Sequence, residues 1–483
     1  MGTPKLRSFP HLNLLNAAGT SLALFLAITL AACGGSNGSG GSPTPSPTPA
    51  AKTPVQVNIG DSPSDWMLAF SMNISSMSLT GSSGSASVIS SSIPVEMMHL
   101  MGTMQPLTMI NAPQGTYTGA SMTVGSATVM YMDPTTKAAV QKTISGPISA
   151  NVTFSTPVTV GSTPMAMGFD LDLSKSVTLD AGGNMMMNPV FHVTSGMQGS
   201  GNPMDPSNGG IQGMMGAVSS VSSSSFGMTS MQAAQTFTFA TNSSTVFDGT
   251  SMSGMANGML LIVDASLQSD GTLMATRVRS MMNSGGVMGG GVITAVAGQP
   301  ATALTMVMQN GAGAGMMSSA FAAGLTVNLN GSTTFQIDED NMDMSSLPFT
   351  PLFDASDIYP GQSVMPISSS SMMSGGMGGG MMGGSNMAGT ITATNVELEP
   401  QGISGTVATA ITSGAQTSFT MTLPVGCAFT TLTGATSVTI YQQPKTMMSN
   451  GSSIASGATV HAFGLLFFDG GKWKMVASRL GSN

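Results

Sequence analysis

Apolar residues recur at every second position along most of this chain, in short runs punctuated by glycine, serine, proline or asparagine. Val55-Gln-Val-Asn-Ile59, Met72-Asn-Ile74, Thr236-Phe-Thr-Phe239 and Phe419-Thr-Met-Thr-Leu423 are typical. A period of two puts all the apolar side chains of a segment on one face of a β-strand, whereas a helix needs 3.6. Only 7% of the residues are charged while 41% are hydrophobic. A helical protein would need Glu, Lys and Arg on its outer faces, and a disordered acidic polymer would lack the alternation. The pattern therefore predicts an all-β chain, and 483 residues suffice for several domains with separate cores.

The first residues read differently. Lys5 and Arg7 precede an apolar stretch, densest from Leu22 to Leu30, and the chain continues Leu30-Ala-Ala-Cys33-Gly34. A basic start, a short apolar core and small residues before a cut describe a secretory signal over 1–32. The Leu-Ala-Ala-Cys ending resembles the bacterial lipobox. That resemblance implies diacylglycerol on the Cys33 sulfur, cleavage before it, and acylation of the new amine with a chain such as palmitate. Gly34 in the next position resembles lipoproteins sent to the outer membrane of Gram-negative bacteria. A transmembrane anchor is the competing reading, but the run is short and no basic stop-transfer flank follows. Several acyl chains anchor stably where one would be marginal. Residues 33–54 then form a disordered Gly/Ser/Pro tether reaching on the order of 60–70 Å when stretched.

Residues 55–200 are expected to form a β-sandwich. Val55 to Ile59 runs into Asp61-Ser-Pro63, Gly115-Thr-Tyr117-Thr enters a long strand, Phe169-Asp170 marks another, and Pro189-Val closes the set. This order resembles the bacterial lipoprotein domain of unknown function 4382, which implies an extracytoplasmic sandwich and no known activity. The remainder reads as three repeats, 213–284, 285–400 and 402–483. Each opens on a glycine and a valine two positions on: Gly216/Val218, Gly290/Val292 and Gly405/Val407. Central strands are assigned to Thr236–Phe239, Leu304–Met308 and Phe419–Leu423. The next segments are Ser244–Phe247, Ser332–Phe335 and Thr436–Ile440, and the copies end on Ala275–Val278, Ala393–Val396 and Ala477–Leu480. Small closed barrels fit strands of this number, and the repeats resemble the OB-like domain of unknown function 5666. The second copy carries a Met/Gly-rich insertion, 368–387, that reads as a mobile surface loop.

Chemistry is sparse. The one Gly-x-Ser-x-Gly, at Gly34–Gly38, falls in the tether and not on a strand-to-helix turn. His99, His192 and His461 are far apart in sequence and read as surface or strand residues. An EF-hand beginning at Asp338 fails, since Asp343 stands where glycine is needed and Phe349 where glutamate is needed; a looser oxygen site remains open there. With Cys33 lipidated, Cys427 has no disulfide partner and reads as a buried free thiol. Net charge is −8, and losing Lys5 and Arg7 with the signal makes it −10, so nucleic acid is a poor partner. The 47 methionines stand apart. On strands, as at Met72, Met306 and Met308, they take the place of Val or Leu. Met185 to Met187 form another run, read as loop. Met372, Met373, Met377, Met381, Met382 and Met387 sit among glycines, where core filling is a weaker account; Cu(I) coordination, oxidant scavenging and no chemistry all stay open.

No enzymatic activity and no cofactor is expected, with Cu(I) at those six methionines as the alternative. The expectation is a non-catalytic cell-envelope lipoprotein presenting β-rich binding or structural modules outside the cytoplasm. Its partners would be the membrane, through the lipid, and an envelope protein or glycan. A Met-rich Cu(I)-binding or oxidant-scavenging envelope protein is the second reading, an extracytoplasmic enzyme the third.

Overall fold

The computed structural model describes residues 51–482, apart from breaks at 63, 83, 101–102, 134, 181–182, 198–204, 232, 234, 282–288, 310–323, 340–341, 369–388, 409–416 and 449–453. Cys33, the tether up to residue 50 and the six methionines from Met372 to Met387 lie outside the described residues. The chain is all-β, as the alternation requires, and residues 50–483 make one compact unit. Among the described residues no helix is long and apolar enough to cross a membrane.

The first part contains β1 (Lys52–Ser62), β2 (Met67–Gly81), β3 (Gly84–Ile89), β4 (Ile93–Glu96), β5 (Met104–Pro113), β6 (Gly115–Met132), β7 (Ala139–Val160) and β8 (Met165–Asp172). A helical turn, α1 (Leu173–Ser176), leads to the pair β9 (Val177–Leu179) and β10 (Met185–Met187), then to β11 (Phe191–Met197). One sheet runs β11-β8-β1-β5; the other runs β3-β2-β6-β7 with β4 beside β2. Alternate side chains of both sheets, among them Val57, Ile59, Phe70, Ile74, Val124 and Phe169, fill one core. Tyr117 is buried in it with its hydroxyl donating to the Pro113 carbonyl at 2.8 Å, which ties the start of β6 to the end of β5 much as a tyrosine corner does. The Met185–Met187 run is strand, not loop. Met185 and Met187 pack on the core from one face while Met186 points outward, as period two demands.

The first barrel comprises β12 (Gly210–Val221), β13 (Ser225–Ser230), β14 (Thr236–Ala240), β15 (Val246–Asp248), β16 (Leu260–Leu267) and β17 (Leu273–Ser280). Its order is β14-β13-β12-β16-β17-β15, and β14 closes the ring by pairing with β17 in parallel. The second has β18 (Gly291–Gly298), β19 (Ala301–Met308), β20 (Gly324–Asn328), β21 (Thr334–Ile337), β22 (Ser363–Ile367), β23 (Gly389–Thr392) and β24 (Asn395–Leu398). Here the closing strand is in two pieces: β23 pairs with β20, and β24 with β21 and β22. Between them Ala393 and Thr394 donate their N–H groups to the Asn328 and Ile367 carbonyls, which carries the ring across the break. The third is a closed barrel of β25 (Gln401–Val407), β26 (Thr417–Thr422), β27 (Ser437–Met448), β28 (Thr459–Asp469) and β29 (Lys472–Ser482), with the short helix α2 (Ala428–Thr433) before β27. Its strand β27 does in one piece what β14 and β15 do separately, pairing with β29 at both ends. All three rings thus share one connectivity, a small Greek-key barrel of the OB type.

A single polar device recurs in each ring. Thr245, Thr333 and Thr446 donate their hydroxyls to the carbonyls of Ala275, Ala393 and Ala477 at 2.8, 2.9 and 2.6 Å. Each hydroxyl accepts the N–H of the residue three positions earlier: Asn242, Asn330 and Gln443. One buried hydroxyl so satisfies a donor and an acceptor at the point where the last strand crosses the ring.

This device also corrects the sequence alignment of the copies. The counterpart of Ser244–Phe247 in the third barrel is Lys445–Met448, because Val246 and Met447 occupy equivalent pairings opposite Arg277 and Arg479. Thr236–Phe239 belongs to the third strand of its ring, and the true counterpart of Leu304–Met308 is Phe226–Ser230. The two alternating runs are alike in sequence, and only pairing register separates them. The opening glycine of the second copy is Gly291 rather than Gly290. A Cβ on Gly216, Gly291 or Gly405 would lie 2.5, 2.1 or 2.3 Å from a carbonyl oxygen of the facing strand. The core residue two positions on is accordingly Ile293, while Val292 points to the opposite face.

Candidate functional site

Four modules converge on one cavity of about 760 Å³. The sandwich supplies Asp65, Met98 and His99; the first barrel Gln212, Asp264 and Arg277; the second Gln309, Asp338 and Met342. Glu399 to Ser404, joining the second ring to the third, cross it, and Cys427, Phe429, Lys445 and Arg479 complete the wall. Bonds across the junction hold the modules together around it. Gln309 Nε2 donates to the Leu68 carbonyl at 2.7 Å, the Ala428 N–H to the Asp65 carbonyl at 2.6 Å, and Arg479 to Gln212 Oε1 at 2.7 Å. An apolar seam of Leu68, Ala69, Met130, Met132, Val307 and Ala428 lies beside them.

The charged groups of the wall fall into pairs and remainders. Arg279, just behind it, grips Asp338 with both ends of the guanidinium, at 2.7 and 3.0 Å, and lies 3.7 Å from Glu397. Arg277 binds Asp248 at 2.6 Å. Asp264 accepts the Gly213 N–H at 2.7 Å, yet burial still pushes its carboxyl up from the ordinary range. Glu399 is 8% exposed, and among the described residues its carboxylate is influenced by burial and by the charges of Glu397, Asp338 and Arg279, with no hydrogen bond to it. Burial, then repulsion from Glu397 and Asp338, drives its carboxyl well above the usual value, with Arg279 opposing. Asp264 sits at a bulge within β16 and Glu399 just past the end of β24, so neither is visible as a motif.

Asp65, Ser404 and His461 form a chain that resembles a hydrolytic triad in composition only. Burial raises the Asp65 carboxyl to about 6, against a hydrogen bond from Ser404 that lowers it. In that bond the Ser404 hydroxyl donates to the Asp65 carboxylate. Ser404 Oγ lies 2.8 Å from His461 Nδ1, so with its own proton committed it accepts the Nδ1–H. A nucleophile's histidine must take the hydroxyl proton and be oriented by the acid. Here the hydroxyl sits between acid and imidazole, which is the wrong order for attack.

The other residues read from the sequence have structural partners. His99 Nδ1 lies 2.7 Å from Glu96, and that buried carboxylate also accepts the N–H groups of Phe70, Met98 and His99. His192 is mostly exposed, 3.6 Å from Asp172. In the acidic run, Asp338 is spent on Arg279 and Asp343 on Ser345, its backbone N–H bonded to Gln443; residues 340–341 lie outside the described residues. Cys427 is a buried free thiol whose sulfur accepts the Thr430 N–H at the start of α2. Met72, Met306 and Met308 are core residues. The sandwich has one further acidic group, where Asp61 is buried near Asp170, Glu96 and Asp172 and its carboxyl is raised by burial first and by those charges second. Among the described residues no three His, Cys, Asp or Glu side chains are placed to share a metal ion.

Residues 215–279 match the family model Domain of unknown function (DUF5666). That span is the body of the first barrel; the second and third barrels share its connectivity and lie outside the match. No curated protein matches the chain.

Proposed function

We propose that this chain is a non-catalytic, lipid-anchored protein of the cell envelope whose β-modules hold a small ligand at their junction, outside the cytoplasm. The cavity carries this reading: it is large enough for a small molecule, its walls are mostly apolar with a few convergent charged groups, and all four modules contribute. A chain that merely strung barrels together would not need buried carboxylates where they meet, since each costs free energy unless something compensates it. The Asp65–Ser404–His461 order favours binding over hydrolysis. The Leu30–Cys33 sequence supports the anchor and the tether supports display away from the membrane surface. In this reading the sandwich is the counterpart of domain of unknown function 4382, and the second and third barrels are further copies of the first.

Two measurements test it. Intact mass of the native protein is expected to show Cys33 as an acylated first residue, and Cys33→Ala to abolish lipid attachment; an unlipidated native chain removes the anchor. For the cavity, a thermal-shift screen of small molecules compares the wild type with Thr276→Trp, which places bulk at an exposed position on the cavity rim. Hits should stabilise the wild type and not the variant. Equal shifts in both would place binding elsewhere.

A further inference from the structure

The charges around the cavity do not balance, and the imbalance has a sign. Asp248, Asp264, Asp338, Glu397 and Glu399 gather about Arg277 and Arg279. Both guanidiniums are already engaged, one by Asp248 and the other by Asp338 with Glu397 close by. Asp264 has the Gly213 N–H. Glu399 has neither a hydrogen bond nor an ion pair from the described residues, is more than nine-tenths buried, and lines the cavity. A carboxylate so placed is stabilised by protonation or by a positive group that joins it.

Resting on the reading of this cavity as a ligand site, we propose that it binds a small organic cation, an alkyl ammonium of the diamine class, whose charged nitrogen bonds the Glu399 carboxylate. An ammonium offers three donors to a carboxylate that has none. The rest of the wall suits the alkyl part: Met98, Ile403, Leu423 and the rings of Phe429 and Phe463 line the same space, and an aromatic face adds attraction for a nearby cation. A bare metal ion fits less well. No three acidic or imidazole groups converge among the described residues, and a space of about 760 Å³ is far larger than an ion with its ligands requires. An anionic ligand at Arg277 or Arg279 would have to displace Asp248 or Asp338. Arg479 and Lys445 lie on the wall of the third barrel; Arg479 is engaged by Gln212, and Lys445 is exposed to solvent.

Isothermal titration of the full chain with cadaverine, 1,5-pentanediol, glutarate and calcium decides the matter, the first three being similar in length and different in charge. Cadaverine is expected to bind at least tenfold more tightly than the diol or glutarate, and Glu399→Gln to weaken it at least tenfold. Cadaverine binding no tighter than the diol, or unchanged in Glu399→Gln, overturns the proposal. Binding of glutarate, of the diol or of calcium in its place also overturns it; any of these lost in Thr276→Trp would leave the ligand-cavity reading standing, whereas the absence of any hit in the wider screen would remove that reading too. Should Glu399→Gln fail to fold, the ranking of the four probes on the wild type decides alone.

Discussion

The first and second barrels share their opening glycine, their threonine device and their strand connectivity, yet they are stabilised differently. The first keeps its own core: Val218, Phe226, Phe237, Phe239, Leu261 and Val278 are all its residues, with Met109 of the sandwich at the edge. The second shares its core with the third, since Leu465, Phe467 and Val476 pack among Ile293, Leu304, Val327 and Val396. Phe349 stacks obliquely on Tyr441 and edge-on to Phe467, and Tyr359 sits 4.6 Å from Phe468 between ring centroids. What the copies hold in common is therefore the hydrogen-bonded frame. The core is negotiable, and a ring whose closing strand is split leans on its neighbour.

Large-to-small changes should expose this difference most strongly. Phe467→Ala is expected to cost about 3–5 kcal/mol and to lower amide-exchange protection in the second and third barrels together. Phe239→Ala, fully buried and stacked on Phe226, should cost a similar amount with its effect confined to the first barrel. If Phe467→Ala leaves β18 to β24 as protected as before, the shared core is not a shared folding unit.

Alanine at the opening glycines comes next, at about 1–3 kcal/mol each by overpacking. The order should follow the closeness of the facing carbonyl, Gly291 above Gly405 above Gly216. Denaturant midpoints in any other order would mean that strand separation adjusts freely.

Much of this was legible in advance, for a physical reason. Period two fixes strands and faces, so the all-β class and the residues closing each ring, such as Ala275/Val278 and Ala477/Leu480, could be read from the sequence. Register could not. In Gly289-Gly290-Gly291 nothing local says which glycine faces a carbonyl, and choosing the wrong one turns Val292 inward in place of Ile293. The cavity was illegible for a similar reason. Asp65, Asp264, Glu399 and Arg479 are isolated in sequence, and only the meeting of four modules brings them together.

The threonine device should yield smaller effects that are equal across copies. Thr245→Val, Thr333→Val and Thr446→Val each keep the side-chain bulk and leave a carbonyl and an N–H unpaired, for about 1–2 kcal/mol. A clearly larger loss in the second barrel would show that the split strand, and not the common frame, sets the cost.

The smallest difference is one of pH. Asp264 has no acidic counterpart in the second ring, where Ile367 occupies the equivalent pairing opposite Asn395. Its carboxyl is raised in the fold, so its contribution to stability is present below its unfolded pKa and is lost as pH rises through the folded one. Asp264→Asn should flatten the pH dependence of protection in the first barrel alone. The second should keep its own, which arises from Glu397 and Glu399. A variant whose first barrel still loosens as pH rises above the ordinary carboxylate range would put the responsible group elsewhere.

The two-piece closing strand of the second barrel bears on how such a chain can be rewired. β23 is held by β20, and β24 by β21 and β22, so each half has its own attachment. New sequence spliced in between Ile367 and Gly389 would lengthen a connection without unzipping either half, and lengthening costs only logarithmically in closure entropy. A reporter grafted at that point would be carried by the barrel, which makes this junction the natural place to tag the protein or to cut it into complementing fragments.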